Sequence, residues 1–446
     1  MQDYIKRAVG AKPSGRQLAW QEMEFYAFIH FTVNTFTDRE WGTGDEAPAV
    51  FNPAGLDADQ WVEVCRSAGM KGLILTCKHH DGFCLWPSRY TEHSVKNSPW
   101  KNGNGDVVRE VADACCRGGL KFGIYLSPWD RHERTYGEKD IYNQFFKNQL
   151  RELLTGYGDV FCVWFDGACG EGPNGKRQVY DWEGYYSLVR ELQPGAVISV
   201  CGPDVRWCGN EAGHCRESEW SVVPASLRDA EKVAEKSQKV DDGEFAKQVH
   251  SDWEDLGSRE AIEKAGELVW YPAEVNTSIR PGWFYHESED SRVKSVEELL
   301  DIYCGSVGGN AAFLLNLPPD SRGLIHENDA RTLRELGMEL KRIFRTDLAA
   351  DARFYAETTV DLGGVESFGM AVLSEDIRHG QRVESFSLQC MEGAGWKEIF
   401  AGTVIGYKKI CRFPRVNGRY LKVLIRQARA CPILSDIRVF DSRSSL

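Results

Sequence analysis

Asp166 closes an unbroken apolar run, residues 160–165, and Gly167 follows it. Such a run without alternation fits a strand buried on both faces. A carboxylate at its end is costly unless it is paired or used. Asp166 is therefore a candidate for acid–base or nucleophilic chemistry, with capping of the next helix or bracing of a loop as the structural alternative. Other apolar runs end in comparable groups. Residues 25–31 carry His30 near their end, residues 72–77 run into Lys78-His79-His80-Asp81, and residues 122–126 hold Tyr125 and lead to Trp129. Other carboxylates able to transfer a proton are Glu211, Glu217, Glu219 and Glu274. Glu211 lies between Gly209 and Gly213, in a loop able to bend over a substrate. Glu217 and Glu219 alternate in Arg-Glu-Ser-Glu-Trp, as in a strand or an ion pair with Arg216. Glu274 follows Tyr-Pro-Ala, where it binds ligand or braces the fold.

Metal chemistry is the competing use of these residue types. His79, His80 and Asp81 are ligand types, and Cys201, Cys208 and Cys215 recur at intervals of seven beside His214. No C-x2-C pair or H-E-x-x-H motif accompanies them. The expectation is no metal and no cofactor, with core thiols and hydrogen-bonding imidazoles instead.

The elements that must position these groups follow a regular pattern. Residues 1–24 read as a helical lead-in. The apolar strands alternate with helices over 57–68, 106–117 and 139–154. Trp61, Val64, Cys65 and Ala68 share one face of the first, and Gly118-Gly119 stops the second. Strand–helix alternation with short connections is the signature of a parallel sheet. In a (β/α)8 barrel the C-terminal strand ends gather at one mouth. A doubly wound sheet usually carries a Gly-rich phosphate loop after its first strand, and none occurs here. Further on come a helix at 182–192, a strand at 196–201 and a charged surface stretch at 225–266. A buried stretch at 270–281, a helix at 296–303, a strand at 311–317 and a closing helix at 328–344 complete this part. Beyond about 350, short alternating runs at 383–390, 396–401, 419–425 and 434–440 are separated by turns. The expected fold is α/β: a (β/α)8-type barrel over residues 1–348, then a small antiparallel β-sandwich over 349–446.

Composition narrows the partners. With 446 residues the chain is too long for one ordinary core. A net charge of −12 argues against nucleic acid and anionic membranes as partners. The 14 Trp, 16 Tyr and 21 Phe suit both sugar-ring stacking and a large core. No transmembrane run and no apolar signal core are visible, and thiols such as Cys77, Cys115, Cys116 and Cys162 sit on apolar faces as reduced core cysteines do. A cytoplasmic location is expected, or a periplasmic or secreted one if a signal peptide has been removed. Nothing in the sequence sets the oligomeric state.

Several blocks together resemble the α-L-fucosidases of glycoside hydrolase family 29. They are His30-Phe31 with Asn34-Thr35-Phe36, Glu40-Trp41, His79-His80-Asp81-Gly82-Phe83, Trp164-Phe165-Asp166-Gly167, Ser278-Ile279-Arg280-Pro281-Gly282-Trp283 and Leu314-Leu315-Asn316. They lie in family order from residue 25 to about 320. Arg206-Trp207, Gly209-Asn210-Glu211 and Glu219-Trp220-Ser221 resemble the subgroup that removes α-1,3 and α-1,4 fucose from branched Lewis-type glycans. The resemblance implies a retaining exo-α-L-fucosidase acting on fucosylated oligosaccharides, with Asp166 as nucleophile and Glu211 as acid/base. It further implies fucose contacts from His30, His79, His80, Glu40, Trp41 and, more weakly, Tyr125, with Trp283 against the sugar's C5 methyl. Thr32 stands where many members have Gly, which suggests an altered pocket wall and a relaxed enzyme that also accepts β-D-galactosides. A non-catalytic carbohydrate-binding barrel is the remaining alternative.

Overall fold

The protein is described by a computed structural model covering residues 2–238, 255–350, 353–355, 358–393 and 395–441. Strands β1 (Phe25–Ile29), β2 (Gly72–Lys78), β3 (Lys121–Leu126), β4 (Cys162–Phe165) and β5 (Val197–Val200) alternate with helices Ala58–Ser67, Val107–Gly118, Lys139–Gly156 and Trp182–Leu192. There follow β6 (Arg206–Trp207), a two-stranded antiparallel ribbon of β7 (Val222–Pro224) and β8 (Leu268–Trp270), then β9 (Ala273–Ser278) and β10 (Ala312–Asn316). Eight of these strands pair in parallel in the order β5-β4-β3-β2-β1-β10-β9-β6. The seam between β5 and β6 is nearly closed by a Ser199–Val205 bridge, with Val200 N–H donating to the Val205 carbonyl at 3.0 Å. The expected barrel is present. β6 escapes pattern reading because two residues carry no period. The apolar stretch at 270–281 divides into the end of a ribbon strand and a barrel strand. Of the charged stretch at 225–266, residues 239–254 lie outside the described residues.

Side-chain alternation sorts the barrel. On β1, Phe25, Ala27 and Ile29 pack outward with the helices, and Tyr26 and Phe28 fill the interior. On β4, Val163 and Phe165 face the helices, and Cys162 and Trp164 point inward. The helices are cut to length by local chemistry. Asp57 accepts from Gln60 N–H at 3.1 Å and Asp106 from Arg109 N–H at 2.9 Å. Gly119, at φ +71°, ends the second of these helices in the left-handed conformation. All fourteen cysteines lie among the described residues, none in a disulfide. Cys77, Cys115 and Cys162 are buried as expected, but Cys116 is exposed. One residue beyond Cys115 is a turn of about 100°, which carries the thiol off the buried face.

The last barrel helix, Glu327–Ile343, precedes six antiparallel strands: β11 (Arg353–Tyr355), β12 (Thr359–Glu375), β13 (Val383–Glu392), β14 (Gly395–Gly402), β15 (Lys409–Ala428) and β16 (Leu434–Phe440). β12 and β15 are long, and their pairing shifts between Asp361/Glu366 and between Phe368/Met370. Such irregularities bend strands. One half of β12 pairs with β16, the other with β11. Val360, Phe368, Leu388, Phe413, Val423 and Val439 meet in one core, so the continuous sheet folds over itself as a sandwich.

Candidate active site

The alternation that fills the barrel interior also sets its mouth. Two residues beyond Phe28 comes His30, beyond Trp164 comes Asp166, and beyond Leu314 comes Asn316. Each continues the inward phase of its strand past the last packed layer. A cavity of about 610 Å³, counting its open mouth, is lined by His30, Glu40, Trp41, His79, His80, Asp166, Glu211 and Trp283. These sequence candidates come from distant stretches of chain and meet on one wall. Tyr125 lies just below, where its hydroxyl donates to Asp166 Oδ2 at 2.8 Å.

Asp166 is fixed at both oxygens, because Ala168 N–H donates to Oδ1 at 2.8 Å. Burial pushes its pKa up, above the usual carboxylate value, and the bonds from Ala168 and Tyr125 offset part of that rise. His80 Nε2 stands 3.8 Å from Asp166 Oδ2. Burial lowers His80 to about 3, so the ring is neutral at ordinary pH. Its Nδ1 is 2.7 Å from Ser127 Oγ, whose own proton goes to the Trp129 carbonyl at 2.6 Å. The network therefore assigns the proton to Nδ1 and leaves Nε2 as an acceptor facing Asp166. His30 follows the same logic. Burial lowers it to about 3, and its Nδ1 is 2.8 Å from Asn316 Oδ1. Asn316 is oriented by donating to Ser278 Oγ at 2.9 Å and to the Trp283 carbonyl at 2.7 Å. His79 stacks on Tyr125 at 5.7 Å and keeps a buried Nδ1 with no hydrogen-bond partner.

Glu211 rises on a loop after β6 that turns through Gly209 at φ +105° and Gly213 at φ +86°. Trp283 Nε1–H donates to its Oε2 at 3.0 Å. Burial is the main influence on this carboxyl, with the charges of Asp166 and Glu40 adding to it, and together they raise it to about 8 against the Trp283 bond. The site thus holds one carboxyl raised to about 8 and another whose two oxygens each accept a hydrogen bond.

The other acids have different employment. Glu274 is buried in the barrel, accepting from Tyr26 Oη–H and from Trp164 Nε1–H at 2.7 Å. Glu219 is buried between Arg206 and Arg216, the ion pair its sequence allowed, extended by a second arginine. Glu217 is exposed. Glu40 accepts from Trp283 N–H at 2.8 Å, Phe284 N–H at 2.9 Å and His286 Nε2 at 2.9 Å, joining the loop after β1 to the loop after β9. Trp41 stands edge-on to His80 and Trp129.

Thr32 is a correction. It does not line the cavity; its hydroxyl donates to Asp81 Oδ2 at 2.9 Å and accepts from Asn34 N–H at 3.2 Å, capping the short helix Val33–Thr37. Sequence reasoning gave no site role to Phe28, Val200 and Asn276, nor to Trp164 and Trp207 beyond their place in the family-like blocks; all five line the cavity, with Gly167, Ala168, Ser237 and Gln238 beside them. Strand phase was the available signal for Phe28 and Trp164. Val200 had none: its φ of +68° is rare for a β-branched residue and arises where β5 turns into β6. Among the described residues no three His, Cys, Asp or Glu side chains converge as a metal cluster.

The family profile of α-L-fucosidase matches residues 11–343. α-L-Fucosidase 1 of Arabidopsis thaliana is 40% identical over 97% of this chain and 88% of its own length. A glycoside hydrolase 29 family member from an unknown rumen bacterium superposes with a TM-score of 0.85 at 41% identity, over 98% of this chain and 78% of its own. A Ruminococcus gnavus glycoside hydrolase 29 fucosidase solved with fucose gives a TM-score of 0.81 at 29% identity, over 97% of this chain and 95% of its own. The chain belongs to the α-L-fucosidases of glycoside hydrolase family 29.

Proposed function

We propose that this α-L-fucosidase works by retention, with Asp166 as nucleophile and Glu211 as acid/base. The observation that carries the reading is the pair itself: two carboxyl groups on one cavity, one held up to about 8 and the other fixed by Tyr125 and Ala168. A retaining glycosidase needs this division, since one group attacks the anomeric carbon while the other protonates the leaving oxygen and later activates water. His30 and His80, neutral with Nε2 free to accept, suit sugar hydroxyls; His79, Glu40 and Trp41 complete the polar wall, and the Trp283 ring suits the C5 methyl of a 6-deoxy sugar.

The natural substrates are fucosylated glycans, and terminal α-1,3/1,4-linked fucose on a branched Lewis-type core is the linkage proposed. The Arg206-Trp207 and Gly209-Asn210-Glu211 blocks support this, with Trp207 on the cavity wall beside the Glu211 loop. The galactoside-accepting reading rested on Thr32, which faces Asp81 instead.

Asp166→Asn is expected to lose at least ~10³-fold in kcat with the fold intact. Glu211→Ala is expected to lose far more rate on a Lewis-type glycan than on an activated aryl fucoside, because a good leaving group needs little acid. Azide should restore the aryl reaction of Glu211→Ala and yield α-fucosyl azide, the product of two inversions. A β-fucosyl azide product, or azide rescue at Glu217, Glu219 or Glu274 instead, would overturn the assignment. Release rates from α-1,2-, α-1,3- and α-1,4-fucosyl glycans and from a β-D-galactoside test the linkage.

A further inference from the structure

The loop that carries Glu211 has no regular structure, so its placement depends on side-chain ties. Asn210 staples its tip internally, accepting from Ala212 N–H at 3.0 Å and donating to the His214 carbonyl at 2.9 Å. The base is clasped by buried Glu219, paired with Arg206, which also donates to the Trp220 carbonyl at 2.8 Å. The remaining ties lead to residues that follow the barrel, directly or, for Tyr407, through Asn310 of the barrel. Ser221 N–H, in a buried residue, donates to Gln381 Oε1 at 2.8 Å. Thr403 Oγ–H donates to the Glu217 carbonyl at 3.0 Å. Asn310 donates to the Glu219 carbonyl at 2.8 Å while its Oδ1 accepts from Tyr407 N–H at 2.7 Å. The Arg429 guanidinium lies 3.5 Å from the Trp220 ring centroid.

We infer that the C-terminal sheet positions the acid/base: Gln381 and Thr403, acting through the base of the 208–221 loop, set where Glu211 stands over the leaving oxygen. This rests on the reading of Glu211 as acid/base. A buried backbone N–H deprived of its acceptor is expensive, so loss of the Gln381 oxygen forces the loop base to move. Proton transfer to a leaving group depends steeply on small displacements of the acid, whereas attack by Asp166, on the rigid end of β4, does not involve this loop. The clamp therefore acts on one half of the chemistry.

The test uses the full chain with Gln381→Met, which keeps the side-chain shape, and Thr403→Val, a near-isosteric change at a half-exposed position. Values of kcat/KM are measured on aryl α-L-fucosides running from dinitrophenyl to phenyl, with Glu211→Ala alongside. Each clamp variant should lose about ten-fold on the phenyl fucoside and less than about two-fold on the dinitrophenyl fucoside, with an unchanged melting midpoint for Thr403→Val. Should Gln381→Met fail to fold, Thr403→Val carries the test. Equal losses across the series, or none, in the clamp variants beside a steep Glu211→Ala series would overturn the clamp alone. A flat Glu211→Ala series would overturn the acid assignment and the clamp with it.

Discussion

Removing one hydrogen bond from Glu211 should move the alkaline limb of activity in a direction fixed by the structure. Trp283→Phe deletes the indole N–H that reaches Oε2 at 3.0 Å and keeps an aromatic ring beside His30, whose centroid lies 5.1 Å from that of Trp283. The bond favours the ionised carboxyl, since a carboxylate is the stronger acceptor. A hydrogen bond to a charged group is worth ~1.5–3 kcal/mol when fully buried. Solvent entering through the open mouth reduces this to ~1.4 kcal/mol, or ~1 pH unit. The acid form is the active one before glycosyl transfer, and it is lost as pH rises through about 8 in the native enzyme. Without the bond the acid form persists further, so the alkaline limb of kcat/KM should rise to ~9. The measurement is a profile of kcat/KM against pH with a phenyl fucoside, where acid assistance is needed. A limb that stays in place, or falls, would show that another group controls it.

Thr32→Ala is expected to cost ~1–2 kcal/mol through the lost helix cap and the lost bond to Asp81, read by urea denaturation, with the fucoside-to-galactoside rate ratio unchanged; a shift in that ratio would return Thr32 to the pocket wall. The bond to Glu40, then partial burial opposing it and the bond to Asp38 reinforcing it, leave His286 raised from 6.5 to about 9. Its stabilising contribution is therefore complete below pH 6.5 and lost as pH rises through about 9. Native protein should lose ~1–2 kcal/mol across that window, after allowance for partial exposure, and His286→Ala should not; parallel declines in both would refute the assignment.

Much of the catalytic barrel was legible because its signals are local. A strand buried on both faces must be a continuous apolar run, and a parallel sheet must alternate such runs with amphipathic helices. His30, His79-His80 and Asp166 were visible as polar residues that end these runs, and the block resemblance gave them an expected chemistry. Tertiary structure decided what depends on neighbours distant in sequence. β6 has two residues and exists as a barrel strand only because β9 pairs with it. The four candidate acids look alike as letters; they differ because Glu274 meets Tyr26 and Trp164, Glu219 meets two arginines, Glu217 meets solvent, and Glu211 meets the cavity. Thr32, two residues beyond His30 in sequence, turns to Asp81 and caps a helix. The electrostatic state of each carboxyl is set by burial and by charges brought together from separate strands, and no local pattern encodes that sum.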